Sequence, residues 1–123
     1  MKFDKEIEQL INKWRTVLEE QLQLPEHERK YDTRRIEVTI IQLQEFLEQW
    51  NNMIDDRYSR YLIKLEDYEL TSYYVSRYDF ISNKSIYSTL KNTALKLKEL
   101  EAVRCAVGLC HPDFVVSLEK VNW

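Results

Sequence analysis

Across 123 residues the chain has one glycine and two prolines, where average usage would give about 7% and 5%. Tight hairpins draw on glycine for backbone with positive φ, and phosphate-cradling loops need several glycines at fixed spacing. A chain this poor in turn-formers is expected to avoid the β-sandwich and the nucleotide loop, and to be almost entirely helical. The three residues also fall at boundaries: Pro25 behind a first amphipathic segment, Gly108 at the close of the last, Pro112 ahead of the tail. Residues 1–110 therefore read as all-α, an antiparallel bundle of about four helices. Residues 111–123 read as a short C-terminal extension that forms either a single strand or one more helical turn.

Periodicity supplies the four helices. Ile7, Leu10, Ile11, Trp14, Leu18 and Leu22 recur at three- and four-residue steps between about Phe3 and Leu24, which is one apolar helical stripe. Asp4, Glu6 and Glu8 sit where the helix dipole favours acids, and Pro25 closes the segment. Asp32 or Thr33 is placed to cap a second helix whose stripe runs Ile36, Ile40, Leu43, Leu47, Trp50, Ile54 and on to Tyr61 and Leu65. Unbroken, it would span about 30 residues and roughly 45 Å. The alternative is a kink at Asn51-Asn52 or Asp55-Asp56. A third segment, about 68–81, carries Tyr68, Tyr73, Tyr74, Tyr78 and Phe80. A fourth carries Ile86, Leu90, Leu97, Leu100 and Val107, with Gly108 as its C-cap.

Composition narrows the classes of function. The chain is 44% hydrophobic and 32% charged with 12% aromatics, which fits one folded domain and not a disordered one. The formal net charge of -3 lacks the basic excess of a general nucleic-acid binder. No apolar run approaches the roughly 20 residues that cross a bilayer. The charged start, MKFDKEIEQL, lacks the apolar core of a secretory signal. An intracellular location is expected, and there two cysteines stay reduced.

Candidate chemistry is sparse. Cys105, Cys110 and His111 form the one soft-ligand cluster, yet a structural zinc site takes four ligands at closer cysteine spacing, and His27 is remote. The cysteines read as small apolar packing residues. The carboxylates alternate with Lys and Arg as on solvated helix faces. No metalloprotease, nucleophile-elbow, Walker A or EF-hand pattern occurs. The chain reads as a non-enzyme, with no metal or cofactor called for. One basic-aromatic stretch, Arg57 to Lys64, fits either single-strand stacking with phosphate neutralisation or an Arg/Tyr protein interface. The acidic balance favours the interface, to which Tyr74 and Tyr78 would add half-buried rings.

At that stretch the chain resembles a known family. Arg60-Tyr61-Leu62-Ile63-Lys64-Leu65-Glu66-Asp67-Tyr68 is similar to the R-L-x-K-I-E-x-[FY] helix of the SLD-type subunit of GINS, the eukaryotic replication complex. Three more segments match in the same order. Lys13-Trp14-Arg15 with Leu24-Pro25-Glu26 resembles that subunit's W-x-N-E helix and A-P-E-L-L turn. Thr89 to Leu95 resembles its Y-L-K-N-V-A-L segment. Arg104-Cys105-Ala106-Val107 with His111-Pro112-Asp113-Phe114 and Val115-Val116 resembles the entry to its small β-rich domain.

The resemblance implies a helical scaffold subunit, nuclear, that packs with three sister subunits and a replicative helicase through buried helix faces. By carry-over Trp14 and Arg15 belong to the first-helix motif. Arg60, Tyr61, Lys64 and Glu66 belong to the central helix, and Leu90, Lys91, Asn92 and Leu95 to the last. Two departures stand out. The Ser/Pro/Glu-rich loop before the last helix is missing. The chain also ends at Trp123, after one expected strand of the β-rich domain that helps hold the family's tetramer together. The alternative from composition is a small phage or bacterial helical regulator that binds and inhibits a host protein, which would be cytoplasmic.

Overall fold

The structure, a computed structural model, describes residues 2–53, 59–79, 81–82 and 84–122. Its order is α1 (Lys2–Leu22), a 3-10 turn (Glu26–Glu28), α2 (Thr33–Asn51), β1 (Ser59–Asp67), β2 (Ser72–Asp79) and β3 (Lys84–Ser88). A second 3-10 turn (Lys91–Thr93), α3 (Glu99–Leu109) and β4 (Phe114–Asn122) follow. Three helices and a four-stranded antiparallel sheet, in the order β3-β2-β1-β4, replace the expected all-α bundle.

The first two helices form where the periodicity puts them. Ile7, Ile11 and Trp14 of α1 are buried, as are Ile36, Ile40, Leu43, Phe46 and Trp50 of α2; each such side chain contributes about 1.5–3 kcal/mol. Asp32 is the cap, its carboxylate accepting from the Arg34 amide at 2.8 Å. The link between the helices is held by Gln21, whose Oε1 accepts from the amides of Lys30 and Tyr31.

The long second helix is corrected. It stops at Asn51, with the Asn52 amide donating back to the Glu48 carbonyl, and Tyr61 and Leu65 belong to β1. A four-residue step returns to the same face in a strand as well as in a helix, so the 61/65 spacing fits both. The deciding signal is Tyr61-x-Ile63-x-Leu65, a period of two in β-branched and aromatic residues. The third segment is β2, where the run Tyr73-Tyr74-Val75 is rich in strand-forming residues and a bulge interrupts the alternation. The fourth splits into β3, a 3-10 turn and the eleven-residue α3. The tail is no appendage: β4 pairs with β1 along nine residues, from Ser59↔Asn122 to Asp67↔Phe114.

Turns without glycine make the sheet possible. At the β1–β2 hairpin the Asp67 carboxylate accepts from the amides of Glu69 and Thr71, doing with a side chain what a turn peptide does elsewhere. Leu70 takes the left-handed position at φ 68. The one glycine, Gly108, is used for no turn. Its φ is ordinary, and it lies inside α3, whose C-cap is Cys110, so the expected C-cap role is corrected as well. Gly108 is the next-to-last residue of α3, where glycine costs up to about 1 kcal/mol against alanine.

The core has three layers. Ala102, Val103, Cys105, Ala106, Val107 and Leu109 of α3 are buried between the sheet, where Ile63, Leu65, Val75 and Val116 face them, and the α1–α2 hairpin. The chain ahead of α3 is a wedge in the sheet. Leu97 exchanges two backbone hydrogen bonds with Tyr61, and the Leu95 amide donates to Val75, where β1 and β2 part beyond Lys64↔Tyr74. The hairpin is tied to the sheet by Gln42, buried on α2. Its Nε2 donates to the Val116 carbonyl at 2.8 Å, and its Oε1 accepts from the Val116 amide at 3.3 Å.

Two outcomes follow for stability. Replacing Gln42 with Ala strands a buried N–H and C=O and should cost about 2 kcal/mol in urea unfolding. Gln42→Glu should cost at least as much, because a carboxylate accepts from the amide and opposes the carbonyl. Leu70→Gly should instead add about 0.5–1 kcal/mol, since the side chain is 83% exposed and only its backbone is strained. A lower midpoint for that variant would refute the strain.

Candidate partner-binding surface

The residues nominated from sequence do not assemble into one face. Trp14 is buried, its ring in edge contact with Tyr31 at 5.8 Å and His111 at 5.6 Å. It thus helps lock α1 to the α3–β4 corner, and it is not offered to a partner. Arg15 is exposed on α1, and Arg57 lies outside the described residues. Arg60, Lys64 and Glu66 alternate along the face of β1 turned away from the core. Lys64 is opposite Tyr74 across the strands and 3.7 Å from Glu66. The backbone of Tyr61 is taken by Leu97, and its ring packs against the core. Tyr74 is buried on the outer face, where its hydroxyl meets Glu119 at 3.4 Å. Lys91 reaches the same carboxylate at 3.0 Å, a bond that raises the Lys91 pKa. Leu90 and Asn92 beside it are exposed. Tyr78 is on the opposite face from Tyr74, because the bulge between Val75 and Arg77 reverses the alternation.

The soft-ligand cluster is dispersed as well. Cys105 and Cys110 are both buried, and burial pushes each thiol up to about 12, so neither supplies a thiolate nucleophile at neutral pH. His111 stacks edge-on against Trp14 and Tyr31 and lies near the Phe114 ring. Its Nδ1 accepts from the Asp113 amide at 3.1 Å, with the Asp113 carboxylate 3.3 Å away. Among the described residues no group of three His, Cys, Asp or Glu side chains is placed to hold a metal ion. No described helix is long and apolar enough to cross a membrane.

What the sequence did not point to is the contrast between the two edges of the sheet. At the β4 edge Gln42 occupies the Val116 peptide group, so a helix side chain takes that edge at one residue. At the other edge β3 pairs with β2, and no described strand pairs with its outer side. The Ile86 carbonyl accepts from the Ser76 hydroxyl and so points inward. By alternation the peptide groups of Ser85 and Tyr87 point outward. Ile86 is 57% and Tyr87 44% exposed. Natural sheets blunt such an edge with proline, charge, a bulge or a short strand; β3 is five residues long, begins with Lys84 and lies opposite the β2 bulge at Ile86 and Tyr87, but has no proline and no charge at its centre.

A surface groove of about 580 Å³ runs between this strand and the α3–β4 corner. Ser85 and Tyr87 form one side, Gly108, Leu109 and Cys110 its floor, and His111, Asp113 and Phe114 the other. Around Tyr87 and Phe114 it meets a second, apolar recess of about 280 Å³ lined by Leu65, Tyr73 and Asp67. Sequence reasoning missed Tyr87 and Phe114 as a pair because they are distant in the chain. Only the alternation in 84–88 and 114–122 could have put both on strands.

No family model matches the chain, and no curated protein or solved structure matches it.

The thiols give a pH dependence with a definite sign. Each ionises near 9 when exposed and about 12 in the fold, so between those values the folded protein keeps protons the unfolded chain has released. That stability is complete below pH 9 and is lost as pH rises toward 12. Urea midpoints should fall more steeply above pH 9 for the native sequence than for Cys110→Ala. Equal slopes would show that the thiols do not titrate this way.

Proposed function

We propose that the chain is a non-enzymatic binding subunit that works through protein–protein contact at the open β3 edge and the groove beside it. The observation that supports this best is the β3 edge itself: no described strand pairs with its outer side, and Tyr87 on it lines a groove shared with His111 and Phe114. Aromatic residues in a partly apolar recess are what protein interfaces concentrate. The unreactive thiols and the ion-paired outer face are consistent with binding as the work done.

Its narrower form, a scaffold subunit of a replication assembly, has the sequence resemblance behind it. Two of the four matching segments keep the conformation that resemblance implies: Trp14 on α1 with the turn at Pro25, and Arg104 to Val116 passing from helix into strand. Arg60–Tyr68 and Thr89–Leu95, implied to be helical, are largely a strand and a 3-10 turn with loop. The coarser reading is therefore the one we adopt. A host-protein regulator is a form of it too, and the recovered partner decides between them.

The test is recovery of the tagged full chain from its source with nuclease treatment, followed by intact-mass measurement and amide exchange with and without the recovered partner. A stoichiometric protein complex with slowed exchange at a discrete surface is expected. Three similar-sized partners and a helicase would select the replication assembly. A chain recovered alone, or held only through nucleic acid, would overturn the proposal.

A further inference from the structure

Gly108 has no reason inside the fold to be glycine. Its φ is not positive, and a Cβ built there would meet only the Tyr78 hydroxyl, at an ordinary 3.6 Å. Glycine is disfavoured within a helix, and this is the chain's single one. It lines both the groove beneath the β3 edge and a recess beside Tyr78 and Arg104. Bare backbone at that point of the lining leaves room for another chain to approach closely.

From this, resting on the reading of the β3 edge as a binding surface, we infer that the partner enters as an extended peptide strand. It adds antiparallel to β3 and sends alternate side chains into the groove over Gly108. The outward peptide groups of Ser85 and Tyr87 bond the added strand, and the groove takes aromatic or branched aliphatic side chains between Tyr87 and Leu109. Charge sets the ends. Asp113 and Asp67 flank Phe114 near the Tyr87 end of β3, and Lys84 begins the strand at the other. An antiparallel strand matched to these carries a basic residue toward its N-terminus and an acidic one toward its C-terminus. A second copy of β3, Lys84-Ser85-Ile86-Tyr87-Ser88, offers the N-terminal lysine and apolar residues but ends in serine, with no acid to meet Lys84.

The test uses a display library of random twelve-residue peptides panned against the full-length protein, with enriched peptides synthesised and titrated by fluorescence anisotropy. Enrichment of alternating apolar positions between a basic and an acidic residue is expected. Two variants probe the geometry. Ser85→Pro removes an outward N–H and leaves pairing with β2 intact, and Gly108→Leu fills the floor. Each should weaken binding by at least about tenfold while keeping the circular dichroism spectrum. Gly108→Ala, the mildest filling, should raise thermal stability and weaken binding a few-fold, a split that a purely structural glycine would not give.

Failure to enrich any motif overturns the inference, as does binding indifferent to both variants. A dimer in sedimentation that Ser85→Pro dissolves would do the same, assigning the edge to a second copy. A recovered protein partner that slows exchange at Lys64, Tyr74 and Lys91 instead would leave the binding-subunit proposal standing and remove this inference alone.

Discussion

The hydrogen-bond pair between Gln42 and Val116 joins two halves that otherwise meet mostly through α3. The helical hairpin buries its stripe within itself and against α3, and the sheet buries one face against α3. Besides that short helix the two meet at Trp14 against His111 and at Arg35 over the Tyr68 ring. A primary amide offers one donor and one acceptor in nearly the geometry of a peptide group. On the edge strand it therefore stands in for a neighbouring strand. In one contact Gln42 fixes where α2 crosses β4, satisfies a buried peptide group, and occupies the edge at Val116. Buried polar pairs of this kind add little net stability when made and cost much when broken. Their value here is in specifying register.

The same register sets what lies at the opposite edge. β4 is paired to β1 along its length and held by Gln42 at Val116, while β3 carries no such helix side chain among the described hydrogen bonds. The bulge at Ser76 turns β2 so that Tyr74 joins the outer cluster with Glu119 and Lys91, and Tyr78 turns to α3. Its hydroxyl ends beside Gly108. The outer face thus closes on its own ion pair, and the aromatic surface is displaced to the groove between β3 and the α3–β4 corner.

The helical hairpin was legible because long, strongly periodic segments carry their own signal, and Asp32 and Pro25 mark their ends. The sheet was not, for two physical reasons. Four-residue spacings such as Tyr61/Leu65 keep one face in either conformation, so stripes chosen at that step run on past a helix end. Glycine scarcity was also a weaker constraint than it looks. A turn needs a satisfied backbone and a tolerated φ, and Asp67 supplies the first while Leu70 bears the second at an energetic cost. Of the nominated site residues, Lys64, Glu66, Tyr74 and Lys91 do meet around one face, although as strand and loop neighbours. Trp14 and Tyr61 proved to be packing residues. Aromatic character marks a core and an interface equally, and the sequence does not separate them.

Once turns are seen to do without glycine, the placement of the single one changes meaning. The hairpin at Leu70 is where glycine would lower the energy of the fold, and it is absent there. The last turn of α3 is where glycine raises that energy, and it is present. Conformation therefore explains neither position. What distinguishes the second is its surface: Gly108 is exposed and lines the groove beneath the β3 edge. The proposed strand addition would give that glycine a use which packing alone does not, whereas the strain at Leu70 stays a cost of the hairpin.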